Sequence, residues 1–110
     1  MQGTDLVLLI EEPKPVTDDI ITSLVTDWYK TTYPFSSRPP PTPAWRNSRR
    51  KEIIDEYGHI SDWNVSQVTS MARLFRDLTY FDDDISRWDT SNVKDMTSMF
   101  LGCQHFNRNL

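Results

Sequence analysis

Few side chains in this sequence have the types and spacing that catalysis or metal binding requires. Asp82, Asp83 and Asp84 form a run of carboxylates, and hard cations such as Ca²⁺ prefer clustered oxygen ligands. An EF-hand loop also needs a central glycine and a terminal glutamate, and neither occurs at the required position after the run. We therefore interpret the run as a solvated turn, and no metal site is predicted.

Histidine and cysteine supply two further candidates for catalysis. His59 and Asp62 have the types of a general base and the group that orients it, but no nucleophile or metal set accompanies them. Cys103 and His105 are close in sequence but lack a third group to orient the base. No catalytic residue and no cofactor is therefore predicted, and an accessory piece of an enzyme is kept as an alternative function.

One cluster of basic residues lies near the middle of the chain, beside Trp45. It consists of Arg46, Arg49, Arg50 and Lys51. Acidic residues follow directly, and Lys51 with Asp55 forms an i,i+4 pair, which favours a solvated helix face over a nucleic-acid site. The 12 basic and 16 acidic residues give a net charge of −4, whereas nucleic-acid binding requires a basic surface. No nucleic-acid partner is predicted.

The most informative feature of the chain is a repeat of 25 residues. Residues 60–84 align without a gap with residues 85–109, and eight of the 25 aligned positions are identical. Residues 59–110 thus contain two repeats and, at Leu110, the start of a third. A period of this length is typical of leucine-rich repeats, whose units bury their apolar faces only against their neighbours. The identical pairs are Ile60 and Ile85, Ser61 and Ser86, Trp63 and Trp88, Ser66 and Ser91, Val68 and Val93, Met71 and Met96, Phe75 and Phe100, and Phe81 and Phe106.

The spacing of apolar residues changes within each repeat. Ile60, Trp63 and Val65 follow the L-x-x-L-x-L pattern of a short inward-facing strand. The apolar residues that follow predict a short helix, capped by Ser66 in the first repeat and by Ser91 in the second. The predicted fold class is therefore α/β: a short leucine-rich-repeat-like solenoid with a strand, a turn and a short helix per 25-residue unit, after an N-terminal α-helical cap.

The residues before the repeats are predicted to form an arm and the helical cap. Residues 1–16 are expected to be a flexible arm, and residues 17–58 two helices. Thr17 is the predicted N-cap of the first helix, and Gly58 ends the second. A proline-rich insertion at residues 33–43 separates the helices. Its P-x-x-P pattern suits an SH3-type groove, but a plain linker is favoured.

The repeats resemble a known family. The segments ISDWNVSQVTSMARLF and ISRWDTSNVKDMTSMFLGC are similar to the 25-residue repeat I-S-x-W-D-x-S-x-V-x-x-M-x-x-M-F of BspA-like leucine-rich-repeat surface proteins. The resemblance implies a scaffold for protein-protein interaction without catalytic activity, often at the cell surface. In such a repeat, the residues between the inward-facing strand positions project from the concave face. We name this predicted binding surface the polar ladder, the alternative being a solvated face without a partner: Ser61, Asp62, Asn64, Gln67, Ser86, Arg87, Asp89 and Asn92.

The predicted function is a non-enzymatic protein-protein interaction module. Solenoids generally need about three units and polar caps. No cap follows the second repeat, so Phe100, Phe106 and Leu110 are expected to border an exposed apolar edge. The chain is then a fragment of a longer array, or a protein partner or a second copy covers this edge. Neither a membrane-spanning stretch nor a signal peptide is visible, which makes the chain cytoplasmic as written.

Overall fold

The structure contains two α-helices followed by irregular, turn-rich repeats. It is a computed structural model that describes residues 12–33 and 40–108. The helices are α1 (Ile21–Thr32) and α2 (Pro43–Tyr57), and a 3₁₀ turn follows at Ile60–Asp62. Most of the predicted arm and the centre of the proline-rich insertion lie outside the described residues. No helix in the part of the chain that is described is long and apolar enough to cross a membrane.

Helix α1 forms where the apolar spacing predicts a helix. Its buried side is made of Ile21, Leu24, Val25, Trp28 and Tyr29. The predicted N-cap is wrong, because the helix begins at Ile21 and Ile20 precedes it without a side-chain cap. The carbonyl of Thr17 accepts the amides of Ile20 and Ile21 and closes a turn ahead of the helix.

Helix α2 begins at Pro43, which is the last residue of the predicted proline-rich insertion. Thr42 is its N-cap and accepts the Trp45 amide on its hydroxyl at 3.1 Å, while Pro43 occupies the first turn, where its missing N–H is not needed. The predicted stop at Gly58 is confirmed. This residue has a φ of 89° and donates its amide to the Ile54 carbonyl at 3.0 Å.

Trp28 of α1 joins the helices to the first repeat. Its fully buried indole packs edge-on against Trp63, with ring centres 5.9 Å apart, and donates its N–H to the Asp83 carboxylate at 3.2 Å. From α2, the Arg50 guanidinium lies 4.2 Å from the centre of the same ring. Burial raises the pKa of Asp83 above its ordinary value, and the Trp28 hydrogen bond opposes that rise. Trp28 therefore contacts both α2 and the first repeat.

The predicted α/β solenoid of strand, turn and helix units is wrong. Among the described residues of the repeats, 60–108, there is no α-helix and no strand, only one 3₁₀ turn and an isolated parallel bridge between Ser70 and Asp95. The region predicted to be helical fails to form a helix because alternate amides bond to the other repeat instead of to the carbonyl four residues earlier. Positive φ angles at Arg73 (59°) and Asp77 (63°) also interrupt any helix.

The two repeats nevertheless follow the same course turn by turn. The Leu74 amide donates to the Met71 carbonyl at 3.1 Å, and 25 positions later Met99 donates to Met96 at 3.1 Å. The same offset relates further turns and the positive φ angles. Asp77 in the first repeat corresponds to Gly102, whose φ is 84°. A Cβ at Gly102 would lie 2.5 Å from the Asp77 carboxylate, so glycine is required by both the backbone and the close approach.

Equivalent aromatic side chains stack across the repeats. The rings of Trp63 and Trp88, which the alignment places at equivalent repeat positions, lie 6.2 Å apart at an angle of 17°. Phe75 stacks on Phe100 at 5.4 Å, and the same offset pairs the last two phenylalanines. The Trp88 indole also donates its N–H to the buried carbonyl of Ile60 at 2.8 Å. These contacts hold one repeat on the other.

Replacing Trp88 with alanine should destabilise the protein strongly. The side chain is only 8% exposed, and its removal leaves a cavity between the repeats. We expect a loss of about 3–5 kcal/mol in the free energy of unfolding, measured by urea denaturation. Leu101→Ala is the control, because Leu101 is 54% exposed and its truncation should cost less than about 0.5 kcal/mol. Equal midpoints for the two variants would contradict the packing described for Trp88.

The contact between Asp18 and the first repeat should make stability depend on acid pH. Its carboxylate accepts the Thr69 hydroxyl at 2.7 Å and the Thr69 amide at 2.8 Å, which lowers the pKa of Asp18 below 3.8. A carboxyl with a lowered folded-state pKa stabilises the fold above its unfolded-state pKa, and this contribution is lost as the pH falls through the folded-state pKa.

The variant Asp18→Asn should therefore lose less stability than the wild type between about pH 5 and pH 2, and should be the less stable of the two near pH 6. Thermal denaturation across this range measures both effects. Glu12→Gln is the matched control, because Glu12 makes no hydrogen bond or ion pair within the described residues. If Asp18→Asn and the wild type lose stability in parallel, the Thr69 contact does not hold Asp18 in its charged form.

Candidate functional site

The polar ladder predicted from the sequence lies at the protein surface. Ser61 is half-buried and the other seven residues are exposed. Ladder residues of the second repeat make two contacts with the first repeat. The Arg87 guanidinium contacts the Asp62 carboxylate at 2.5 Å, and the Asn92 side chain donates to the Ser66 carbonyl at 2.7 Å. Both partners of the ion pair are more than half exposed, so it contributes little to stability.

Asn64 and Asp89 of the ladder have a local structural role. Asn64 accepts the Ser66 amide at 3.1 Å, and Asp89 accepts the Ser91 amide at 3.0 Å. The Ser91 contacts also lower the pKa of Asp89. The prediction that the two serines cap helices is therefore wrong, since no helix follows and their amides are donors to the preceding side chain. Whether the ladder binds a partner stays a prediction.

A second surface is defined by the hydrogen bonds that join the repeats. In the first repeat, four alternate amides donate to carbonyls of the second repeat at 2.7–2.9 Å. The donors are Met71, Arg73, Phe75 and Asp77, and the acceptors are Asp95, Thr97, Met99 and Leu101. The amides of this segment thus point toward the second repeat. Over this segment the backbone bonds therefore have one direction, from first-repeat amides to second-repeat carbonyls, whereas the Lys94 and His105 amides that flank it donate back to Thr69 and Thr79.

The equivalent amides of the second repeat have no acceptor within residues 12–33 and 40–108. They belong to Met96, Ser98, Phe100 and Gly102, and none of the four donates a hydrogen bond to any described residue. We name these four residues the outer edge. Because the backbone turns of the two repeats correspond, the outer edge presents the same donors that the first repeat uses to hold the second.

Apolar side chains beside the outer edge are less covered than their counterparts in the first repeat. Met71 is 1% exposed, whereas Met96 is 46% exposed. Phe75 is fully buried, whereas Phe100 is half-buried. A cavity of about 180 Å³ opens next to them. It is lined by Ile85, Ser86, Trp88, Thr90, Met96, Met99 and Phe100.

The sequence located this surface only in part. Phe100 and Phe106 were expected to border an exposed apolar edge. Both are half-buried, Phe100 lines the cavity beside the outer edge, and Leu110 lies outside the described residues. The most exposed apolar side chain of the outer edge is Met96, although the identical residue of the first repeat, Met71, is buried. The row of free amides had no signal in the residue types, because it depends on backbone turns.

His59 and Asp62 lie in one turn, but their side chains make no hydrogen bond to each other. His59 accepts the Ser61 amide on Nδ1 at 3.1 Å and packs against Trp28, while Asp62 holds Arg87 instead of the imidazole. No group of three or more metal-ligating side chains occurs in the part of the chain that was described.

Cys103 and His105, the second pair considered for catalysis, have different side-chain partners. The Cys103 thiol donates to the Phe75 carbonyl at 2.7 Å, and burial raises its pKa above the ordinary value. The His105 ring stacks on Tyr80 with ring centres 5.0 Å apart. The thiol is therefore held as a structural donor between the repeats and is poorly suited to act as a nucleophile.

The basic cluster of α2 is engaged within the protein. Arg49 contacts Asp27 of α1 at 2.9 Å, and burial opposes the rise in its pKa that this partner causes. The predicted i,i+4 pair of Lys51 and Asp55 is confirmed at 2.6 Å. Together with Arg50 over Trp28, these contacts give the basic residues structural partners inside the helical cap.

Comparison with known proteins assigns the end of α2 and both repeats to one family. The family is described as "Mycoplasma protein of unknown function, DUF285", and its model matches residues 51–110 of this chain. No curated protein and no solved structure is similar enough to add to that match. Because the match covers more than half of the 110 residues, this chain belongs to the DUF285 family.

Proposed function

We propose that this protein is a non-enzymatic protein-protein interaction module that binds a partner at the outer edge. The observation that supports this function is the 46% exposure of Met96 beside a row of free amides, where the equivalent Met71 is covered by the second repeat. The resemblance of the repeats to those of BspA-like surface proteins supports the same role, and membership of that group is part of the proposal.

The residue types around the cavity suit a protein interface. Aromatic residues and methionine are enriched in the cores of such interfaces, and the cavity is bordered by Trp88, Phe100 and Met96. Met96 is 46% exposed, so covering it would contribute on the order of 1 kcal/mol, roughly half of what full burial of such a side chain contributes. A partner that also accepts the edge amides would satisfy donors that otherwise depend on water.

The polar ladder differs from the outer edge in ways that make it the natural control surface. Gln67 is exposed and its side chain makes no hydrogen bond within the described residues. A charge placed there changes the surface of the first repeat without touching the cavity. Binding at the outer edge and binding at the ladder are therefore separable by single substitutions.

A charge at Met96 should abolish partner binding. Because Met96 is largely exposed, Met96→Glu should leave the fold intact, and it places a carboxylate at the mouth of the cavity. The measurement is quantitative capture by the immobilised chain from an extract of its source cells, with mass spectrometry of the bound proteins. We expect at least one captured protein to fall by about tenfold or more, which corresponds to 1.4 kcal/mol.

The variant Gln67→Glu carries the same added charge and should capture that protein as the wild type does. Circular dichroism of both variants checks that they fold. The proposal fails if Met96→Glu and Gln67→Glu capture every protein equally, or if only the ladder variant loses a partner.

A further inference from the structure

We propose that the occupant of the outer edge is a polypeptide segment of the same 25-residue repeat type, bound in trans. This inference rests on the proposed function and specifies the partner's chemistry and register. In the expected complex, the Met96 amide donates to the carbonyl at the occupant's position equivalent to Asp95. The other three edge amides donate to the carbonyls equivalent to Thr97, Met99 and Leu101.

The first support is the interface that already exists between the repeats. There, four amides at alternate positions donate to four carbonyls at alternate positions, each 24 residues further along the chain. The outer edge offers amides at the equivalent positions, with the same hydrogen-bonded turns behind them. The outer edge therefore favours a backbone whose carbonyls point toward it at every second residue. The segment from Asp95 to Leu101 presents its carbonyls to the first repeat in this way.

The second support is the match of side chains. Phe75 receives Phe100 on its ring, and Trp63 receives Trp88. Phe100 and Trp88 in turn border the cavity beside the outer edge. A segment with phenylalanine and tryptophan at the repeat positions would continue both stacks, whereas an arbitrary extended peptide would supply only the carbonyls.

The third support is that a folded second copy fits poorly. Its acceptor side would have to come from its first repeat, where Trp28 of α1 already packs on Trp63. Two copies that met through their outer edges would place amide donors against amide donors. The occupant is therefore a repeat segment that is not covered by a helical cap of this kind.

The test uses the full chain and a synthetic peptide with the sequence of residues 85–102. Binding is measured by fluorescence anisotropy of the labelled peptide, with a scrambled peptide of the same composition as control. Hydrogen exchange of the isotope-labelled protein, followed by NMR, then reads the register. We expect the repeat peptide to bind at least about tenfold more tightly than the scrambled one, and the amides of Met96, Ser98, Phe100 and Gly102 to exchange at least about tenfold more slowly.

Two substitutions, one in the peptide and one in the protein, test the two sides of this contact separately. A peptide carrying Phe100→Asp leaves the protein unchanged and should lose binding by about tenfold or more. In the protein, Met96→Glu should weaken binding of the unmodified peptide while Gln67→Glu should not. The peptide variant keeps the test informative even if the protein variant is poorly folded.

The outcomes distinguish this inference from the proposed function. Equal binding of the repeat and scrambled peptides, or protection of amides other than the four at the outer edge, overturns the repeat-specific partner and leaves protein binding at this edge in place. Dimerisation of the full chain without peptide binding, seen by light scattering, also overturns it in favour of a second copy. Loss of the proposed function is recognised separately, by capture that is insensitive to Met96→Glu.

Discussion

The structure depends on the four backbone hydrogen bonds that alternate amides of the first repeat donate to carbonyls of the second. Met71, Arg73, Phe75 and Asp77 direct their amides to the neighbouring repeat, so these amides are not available for a helix within their own segment. The carbonyls of the first three accept amides three residues later, which produces a succession of tight turns. This division of donors and acceptors explains how two segments with no regular secondary structure hold a constant spacing and bring aromatic rings into register.

The helical cap completes the first repeat from the other side. Trp28 covers Trp63, the Tyr29 hydroxyl accepts the Tyr80 amide at 3.1 Å, and Asp18 accepts the Thr69 amide. These contacts satisfy the side of the first repeat that lies away from the second. Within the described parts of the chain, the first repeat is thus covered on both sides and the second repeat on one. That difference accounts for the contrast in exposure between Met71 and Met96.

Sequence reasoning was most successful where local spacing decides the structure. Helix α1 and its buried face follow from the spacing of nearby residues, and the end of α2 follows from Gly58. Trp63 and Trp88 occupy equivalent positions of the repeat, and their rings stack. It was wrong for the interior of the repeats, because the same apolar spacing suits a helix and a row of turns. The deciding bonds join residues 24 positions apart and involve only the backbone, so no residue type marks them. For the same reason, the sequence did not reveal the row of amides at the outer edge.

The alternation of donors also restricts how the repeats are able to change. A substitution at most aligned positions leaves the backbone bonds untouched, and most of those positions do differ between the two repeats. Adding or removing one residue within residues 71–77 or 95–101 would instead put the donors or acceptors that follow it out of register with their partners. Sequence drift in such repeats is therefore tolerated more readily than a change in length.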